Sequence, residues 1–211
     1  IGINSKYIHT GLGIRYVGEY AKQQGYDVRL LEETINTPIL AVLEKIMQVQ
    51  ADVFGFDVHI WNKLFVYRLV KMVKKLRPEA TIVLGGPEVS FAAKKIFAEL
   101  PVIDYIVQGE GEVVFSNLLD MLQKGGNVPA NVAYINNGKV DLNGGATVIE
   151  DMSILPFPYP DLEQVLAEHR IVYYECTRGC PFNCAYCLSG ITRSVRKIFS
   201  SMMLSPYTST Q

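Results

Sequence analysis

The first 124 residues alternate between short apolar runs and longer runs that are apolar on one face only. Runs such as 53–57 and 81–86 are almost wholly apolar, which is typical of strands buried on both faces. Longer runs such as 11–24 repeat apolar residues at helical spacing, and a glycine or proline marks their ends. The predicted strands are 1–3, 27–32, 53–57, 81–86 and 105–108, and the predicted helices are 11–24, one beginning at 38, 62–76, 90–100 and one ending at 123.

Five successive strand-and-helix repeats predict a single fold class. Strict alternation with short connections implies a parallel sheet, helices on both of its faces and right-handed crossovers. We therefore predict an α/β domain over residues 1–124, with a doubly wound, parallel, five-stranded sheet of the flavodoxin or Rossmann-like type. Ligands of such sheets bind over the carboxyl ends of the strands.

Four loops are predicted to meet at that edge, namely 4–9, 57–61, 85–88 and 108–112. They contain two of the three histidines, the single tryptophan Trp61 and the pair Gly85-Gly86. Glycine lets a backbone approach a ligand closely, so the pair is a candidate binding element. The first strand is not followed by G-x-G-x-x-G, and the chain has no P-loop, which weakens the case for a site that binds only a nucleotide.

Beyond residue 124 the pattern changes. Two short alternating runs around Asn-Asn-Gly predict a β-hairpin over 131–142, and three closely spaced prolines predict an extended connector over 151–160. Residues 171–175 have the composition of a strand that ends at a cysteine-rich loop. We divide the chain into a sheet domain (1–124), a connector (125–170) and a C-terminal segment (171–211).

All four cysteines lie between residues 176 and 187, and the last three are spaced C-x3-C-x2-C. Thiolates at this spacing bind soft metal centres, and three ligands leave one coordination position for another molecule. Cys176 could instead complete a four-cysteine zinc site. We expect Cys176 to be a small buried residue at the end of the predicted strand. Disulfides are disfavoured because the sequence begins with nothing resembling a secretory signal.

Composition adds few constraints. The chain has 211 residues, 49% of them hydrophobic and 19% charged, which allows a substantial core. A formal net charge of −1 does not point to nucleic acid as a partner. No apolar run is long enough to span a bilayer, so we expect a cytoplasmic protein. The substrate and the oligomeric state are not indicated.

The run Cys180-Pro-Phe-Asn-Cys184-Ala-Tyr186-Cys187 resembles the cluster loop of the radical S-adenosylmethionine (radical SAM) superfamily, C-x3-C-x-aromatic-C. The resemblance implies that Cys180, Cys184 and Cys187 hold a [4Fe–4S] cluster whose fourth iron binds S-adenosylmethionine. It also implies that Tyr186 lies near the adenine. In that superfamily, one electron from the cluster cleaves the sulfonium and produces a 5′-deoxyadenosyl radical.

The sheet domain resembles the cobalamin-binding domain that precedes the radical SAM barrel in many enzymes. Three segments carry the resemblance: 54–62 (FGFDVHIWN), 84–90 (LGGPEVS) and 104–112 (DYIVQGEGE). The resemblance implies that the loops at the carboxyl edge contact cobalamin. The residues it implies as cobalamin contacts are Asn4, Ser5, Tyr7, His9, Asp57, His59, Gly85, Gly86, Gly109 and Glu110.

The first loop departs from one known cobalamin motif. Cobalamin-dependent mutases carry D-x-H-x-x-G there, with the histidine on cobalt, whereas this chain has Tyr7 two residues before His9 and Gly11 two residues after it. His9 and His59 are therefore either cobalt ligands or hydrogen-bonded loop histidines. Trp61 is more simply a packing residue, and Glu110 and Glu112 suit the start of a helix.

The resemblance implies that this chain is the N-terminal part of a cobalamin-binding radical SAM enzyme, a group in which methylcobalamin often delivers a methyl group. Only 24 residues follow Cys187, and the chain does not begin with methionine. We therefore expect a truncated (β/α) barrel and a chain that binds a corrinoid without turning over. One alternative is a radical SAM protein whose front domain has lost cobalamin and binds another ligand or partner. Another is a non-catalytic zinc or corrinoid-carrier module.

Overall fold

The computed structural model describes residues 1–5, 9–145, 148–182, 184, 187, 196 and 197. Tyr7 and Tyr186, two of the predicted cofactor contacts, lie outside the described residues. The strands are β1 Gly2–Asn4, β2 Glu32–Thr34, β3 Val53–Asp57, β4 Thr81–Gly85, β5 Tyr105–Val107, β6 Val132–Asn136, β7 Lys139–Asp141, β8 Thr177–Arg178 and β9 Arg196–Lys197. The α-helices are α1 Leu12–Gln23, α2 Ile39–Met47, α3 Lys63–Leu76, α4 Pro87–Ser90, α5 Ala93–Glu99, α6 Gly111–Lys124 and α7 Leu162–Ala167, and Met152–Ile154 form a 3-10 helix.

Seven strands form the main sheet in the order β2-β1-β3-β4-β5-β6-β7. The first five are parallel, which confirms the predicted doubly wound, flavodoxin-like α/β fold. The predicted hairpin also forms, with a left-handed turn at Asn137 and Gly138. Its first strand, β6, pairs antiparallel with β5, so the hairpin extends the sheet of the preceding domain.

Two predicted strands and one predicted helix differ from the structure. Strand β2 begins at Glu32, because its parallel partner β1 has only three residues to pair with it. The helix predicted over 90–100 is two helices, α4 and α5, separated at Phe91 and Ala92. Residues 171–175 do not form a strand: they make a single bridge between Ile171 and His9, and the first strand after them is β8.

Apolar side chains pack on both faces of the sheet. One face packs Phe54, Phe56, Ile82 and Leu84 against α2, α3 and α5, and the other packs Val83 and Val107 against α6. Burial of such side chains is worth about 1.5–3 kcal/mol each before entropy is counted. The rigid sheet therefore fixes the positions of the loops at its ends. None of the helices in the described part of the chain is long and apolar enough to span a bilayer.

The connector lies against α1. Its residues Ile149, Met152 and Leu155 form a small apolar cluster with Tyr16 of that helix. Further along, Arg15 of α1 is bound by two carboxylates, those of Glu32 and Asp161. The connector is therefore packed along one side of the sheet domain.

Candidate functional site

The candidate site lies where the order of the sheet reverses, between β1 and β3. In open α/β sheets this switch point leaves a crevice at the carboxyl ends of the strands. The loop after β1 borders the crevice on one side and the loop after β3 borders it on the other. The loops after β4 and β5 continue along the same edge, so the four loops predicted from the sequence do meet there.

The loop after β1 is closed by its own hydrogen bonds. Asn4 is buried and donates from Nδ2 to the carbonyl of His9 at 2.9 Å. The His9 ring donates from Nδ1 to the carbonyl of Thr10 at 3.1 Å, and its Nε2 lies 3.4 Å from the hydroxyl of Ser5. Both ring nitrogens of His9 are thus engaged within the loop.

The loop after β3 presents an oriented histidine. His59 donates from Nε2 to the Asp57 carboxylate at 2.9 Å, and its ring stacks on Trp61 with the centroids 4.3 Å apart. Trp61 is half exposed and donates from Nε1 to the carbonyl of Ile3 at 3.3 Å. The described residues make no hydrogen bond to Nδ1 of His59. An imidazole oriented by a carboxylate in this way is typical of metal-binding histidines.

Asn62 holds the two loops together. It is the N-cap residue of α3, but its side chain makes no capping hydrogen bond to that helix. It is buried and donates from Nδ2 to the carbonyls of Ile3 and Asp57, at 2.9 and 3.0 Å, while its Oδ1 accepts from the backbone N–H of His59 at 2.8 Å. Asn62 therefore links the ends of β1 and β3 to the loop that carries His59.

The two glycines after β4 have different roles. Gly86 has a φ of +99°, and a Cβ there would collide with the Asp57 carboxylate and approach the Val58 carbonyl oxygen at 2.7 Å. A Cβ at Gly85 would meet no atom of the described residues within 4 Å. Gly86 is thus required by the turn itself, and Gly85 leaves open space at the edge where a ligand can approach the backbone.

Ser90 and Gln108 tie together the loops after β4 and β5, and sequence reasoning named neither as a site residue. The Ser90 hydroxyl donates to the carbonyl of Gly86 at 2.8 Å and accepts from the N–H of Gly109 at 3.2 Å. Gln108 donates from Nε2 to the carbonyl of Ser90, and its buried Oε1 has no partner among the described residues. Gln108 directly follows β5, and a polar residue at the end of a buried strand is the signal that could have identified it.

Glu110, predicted as a cofactor contact, faces the connector. Its Oε2 accepts from the backbone N–H of Ile149 at 2.5 Å and lies 3.8 Å from Nη1 of Arg178. Glu112 is buried and accepts from Nη2 of the same arginine at 2.7 Å. Burial opposes the charge of Arg178, but Glu112 and Glu175 outweigh that effect and raise its pKa above the ordinary value.

The cysteines do not form a ligand cluster in this structure. No three described His, Cys, Asp or Glu side chains lie close enough together to share a metal ion. Cys180 is half-buried, Cys184 and Cys187 are exposed, and the N–H of Cys187 donates to the carbonyl of Cys184 at 3.1 Å. Cys176 is also exposed, so the prediction that it is a buried residue is wrong. The reason is that residues 171–175 do not form the strand that would have carried it into a core.

The segment before the cysteines is hydrogen-bonded to the loop after β1. Thr10 donates its backbone N–H to the carbonyl of Ile171 at 3.0 Å, and its hydroxyl lies 2.8 Å from that of Tyr159. Tyr159 in turn donates to the carbonyl of Tyr173 at 2.6 Å. This loop therefore contacts both the candidate crevice and the C-terminal segment.

A buried ion-pair cluster stabilises the same region. Glu32 binds Arg15 at 2.6 Å and Arg170 at 2.8 Å, and it accepts from the N–H of Gly11 at 2.5 Å. Burial alone would raise the pKa of the Glu32 carboxyl, but the hydrogen bonds from Arg15 and Gly11 outweigh it and lower the pKa below its ordinary value. Arg170 also donates to the carbonyl of His9 at 3.1 Å, which couples this cluster to the site.

These contacts make the edge suited to binding a large, flat ligand rich in amide groups. It offers open backbone at Gly85, an oriented imidazole at His59 and an indole at Trp61. The acceptor on Gln108 lacks a partner among the described residues and could receive an amide N–H after a small side-chain movement. The residues therefore fit a corrinoid, whose ring carries amide side chains.

A family model of the B12 binding domain matches residues 1–119. The match covers the sheet from β1 to β5 and most of α6, and so includes all four loops at the carboxyl edge.

Curated relatives match a longer part of the chain. An uncharacterized methyltransferase of Pyrococcus horikoshii is 29% identical over 187 residues, which is 85% of this chain and 40% of the relative. The cobalamin-dependent radical SAM methyltransferase TokK of Streptomyces tokunonensis is 26% identical over 155 residues, which is 66% of this chain and 22% of the relative. The chain thus spans less than half the length of these relatives.

A solved structure has the same fold. The cobalamin-dependent S-adenosylmethionine radical enzyme OxsB, with aqua-cobalamin bound, superposes with a TM-score of 0.74 at 21% sequence identity. The likeness covers 93% of this chain and 29% of OxsB. It therefore extends past the sheet domain into the connector and the segment that carries the cysteines.

Proposed function

Since this chain belongs to the B12 binding domain family, we propose that it binds cobalamin at the carboxyl edge of its sheet and is part of a cobalamin-dependent radical SAM enzyme. The observation that carries the proposal is the switch point between β1 and β3, where the carboxyl edge of the sheet presents an oriented histidine and the open backbone of Gly85. TokK and OxsB, which are both named as cobalamin-dependent radical SAM enzymes, support the proposal that this chain is part of such an enzyme.

His59 is the better placed of the two candidate histidines to approach cobalt. The carboxylate of Asp57 orients its ring and leaves Nδ1 without a hydrogen bond from the described residues. For His9 to bind a metal, its ring would first have to give up a hydrogen bond to Ser5 or Thr10. Asn4 and Ser5 contribute by bonding to His9 and so fixing the shape of the loop after β1. Tyr7 remains a predicted cobalamin contact.

Gly85, Gly86 and Gly109 serve the ligand through the backbone. Gly85 provides the open surface, Gly86 makes the turn that keeps Asp57 and Val58 close, and Gly109 is held by Ser90. Together they present a smooth edge without side chains, as a wide planar ligand requires. Glu110 contributes indirectly, by binding Ile149 of the connector and Arg178 of the C-terminal segment.

We further propose that Cys180, Cys184 and Cys187 bind a [4Fe–4S] cluster and that Tyr186 contacts S-adenosylmethionine. The spacing of the three thiols supports this, because one loop can wrap three corners of a cluster and leave the fourth iron for another ligand. When bound, these cofactors supply radical and methyl-transfer chemistry, and the protein supplies their position. The reaction proposed for the whole protein is transfer of a methyl group to an unreactive carbon.

Absorbance titration of the anaerobically purified chain with hydroxocobalamin tests the first half of this proposal. We expect saturable binding at one site per chain, with the bound corrinoid retained on gel filtration. Iron and sulfide analysis after reconstitution tests the second half, with about four of each expected per chain. Zinc in place of iron would favour the zinc module, and a full cluster without cobalamin binding would favour a radical SAM protein whose front domain has lost cobalamin.

A further inference from the structure

Arg178 is a buried charge that joins the cysteine-bearing segment to the sheet domain. Its guanidinium donates from Nη2 to Glu112 at 2.7 Å and from Nε to Glu175 at 2.8 Å, and Glu110 lies 3.8 Å from Nη1. The side chain is 12% exposed, and its charged end lies over the ring of Tyr16. A planar guanidinium presents five donors in a rigid fork that holds several carboxylates in a fixed geometry, whereas a lysine carries a compact charge on a flexible stem.

The position of this contact in the fold is informative. Helix α6 begins just after β5 ends, so Glu110 and Glu112 lie at the same carboxyl edge as the proposed cobalamin crevice. Arg178 precedes Cys180 by two residues, and two residues of extended chain span at most about 7 Å. The first cysteine of the trio is therefore held close to the sheet edge.

A second anchor lies seven residues upstream. The carbonyl of Ile171 accepts from the N–H of Thr10 at 3.0 Å, and the N–H of Tyr173 donates to the Thr10 hydroxyl at 3.4 Å. Thr10 belongs to the loop after β1, which borders the crevice. The segment from Ile171 to Arg178 is thus attached at both ends to loops of the sheet edge.

We propose that Arg178 is a positioning residue that docks the root of the cysteine loop onto α6 and so sets the distance between the cluster and the cobalamin. This inference rests on the proposed function for the identity of the two cofactors, but the docking itself does not. Without the guanidinium, the buried carboxylate of Glu112 loses its cationic partner. The carboxylate then regains contact with water when the segment separates from α6, so that separation becomes favourable. The remaining anchors, which hold Ile171 and Tyr173, lie upstream and leave the cysteine loop free to move.

Hydrogen exchange of the cofactor-free chain tests the docking. In Arg178→Gln we expect exchange in peptides covering 171–182 to rise by about tenfold, while peptides covering 53–57 and 81–85 stay within about twofold of the original. Arg178→Lys should fall between the two, because a lysine keeps the positive charge but lacks the rigid fork of donors that holds Glu112 and Glu175 together. Arg29→Gln is the matched control, since Arg29 is exposed and, among the described residues, pairs only with exposed Asp27 at 3.4 Å.

Unchanged exchange over 171–182 in Arg178→Gln would overturn the proposal. If that variant unfolds throughout, Arg178→Lys decides the question: faster exchange confined to 171–182 supports docking, and no local change refutes it.

A second measurement addresses the cofactors. In the reduced, reconstituted protein, the magnetic coupling between Co(II) and the cluster should give one narrow distance distribution, which broadens in Arg178→Gln and narrows again in Arg178→Lys at equal cobalt and iron content.

The two failures can be told apart. An original chain that takes up no cobalamin refutes the proposed function, and the exchange measurement still decides the role of Arg178. A chain that binds cobalamin and iron, but whose exchange and distance distribution do not respond to Arg178→Gln, refutes the positioning role alone.

Discussion

Nε2 of His59 donates to the carboxylate of Asp57 at 2.9 Å, at the point where β3 enters the candidate crevice. The pair forms the sequence Asp57-Val58-His59, an aspartate two residues before a histidine. The same spacing is absent at His9, where Tyr7 stands in place of the aspartate. The chain thus carries this carboxylate-oriented histidine in the loop after β3, on the other side of the same switch point.

The first prediction concerns this pair. His59→Ala should change the absorbance of bound cobalamin and lower its affinity, and Asp57→Asn should lower the affinity by about tenfold because the ring loses its orienting partner. His9→Ala should have a smaller effect, since its ring is engaged within its own loop. Titration with hydroxocobalamin measures all three, with His169→Ala as a control on the exposed part of the connector. An unaltered spectrum and affinity in His59→Ala would exclude His59 from the cobalt site.

The second prediction separates the two glycines. Gly86→Ala should destabilise the fold by about 1–3 kcal/mol, because the residue has a positive φ and the new Cβ meets the backbone of Val58. Gly85→Val should leave the stability nearly unchanged but lower cobalamin affinity by about tenfold, or about 1.4 kcal/mol.

Urea unfolding and corrinoid titration measure the two effects. Thr81→Val is the matched control for Gly85→Val, since Thr81 lies at the opposite end of the same strand. Full affinity in Gly85→Val would show that the open surface at this glycine is not used by the ligand.

The third prediction concerns acid stability. The folded-state pKa values of Glu32 and Asp161 lie below their ordinary values of 4.5 and 3.8. Their stabilising contribution is therefore complete above the unfolded-state values and is lost as pH falls below about 4.5 through the lowered folded-state values. Glu32→Gln should lower the free energy of unfolding at pH 7 by about 3–5 kcal/mol, because Arg15 and Arg170 lose a shared buried partner.

Urea unfolding between pH 3 and pH 7 measures this linkage. The variant should also lose less stability than the original chain on going to acid, since one of the responsible groups is gone. If the two chains lose the same free energy of unfolding between pH 7 and pH 3, the Glu32 cluster is not the cause of the acid sensitivity. Glu150→Gln, a change at an exposed connector residue, should leave the whole profile unchanged.

The fourth prediction distinguishes a three-thiol centre from a four-thiol one. Cys176→Ala should leave the iron and sulfide content of the reconstituted chain unchanged, because three thiols suffice for the proposed cluster. Cys180→Ala should lower both contents by about tenfold, since a cluster held by two cysteines is poorly retained. Metal and sulfide analysis of both variants, prepared anaerobically in parallel, makes the comparison. Loss of metal in Cys176→Ala would favour the zinc alternative.

Much of the sheet domain follows from local sequence patterns. Strands β3 and β4 were predicted from their apolar runs almost to the residue, and the hairpin was predicted from Asn-Asn-Gly. Such elements depend on neighbours within a few positions, so periodicity and turn chemistry determine them. The strand predicted over 171–175 is wrong for a related reason. A segment of β-like composition forms a strand only where another strand is available to pair with it.

The sequence by itself determined the alternation of strands and helices, the parallel sheet and the edge at which its loops meet. Only the tertiary structure decided which side chains act there. It paired His59 with Asp57 and hydrogen-bonded the Asn62 side chain to the backbone of two strands. It also joined Arg178 to Glu112, 66 residues away. The physical reason is that periodicity encodes which face of an element is buried, whereas a contact between distant side chains depends on the order in which the strands assemble.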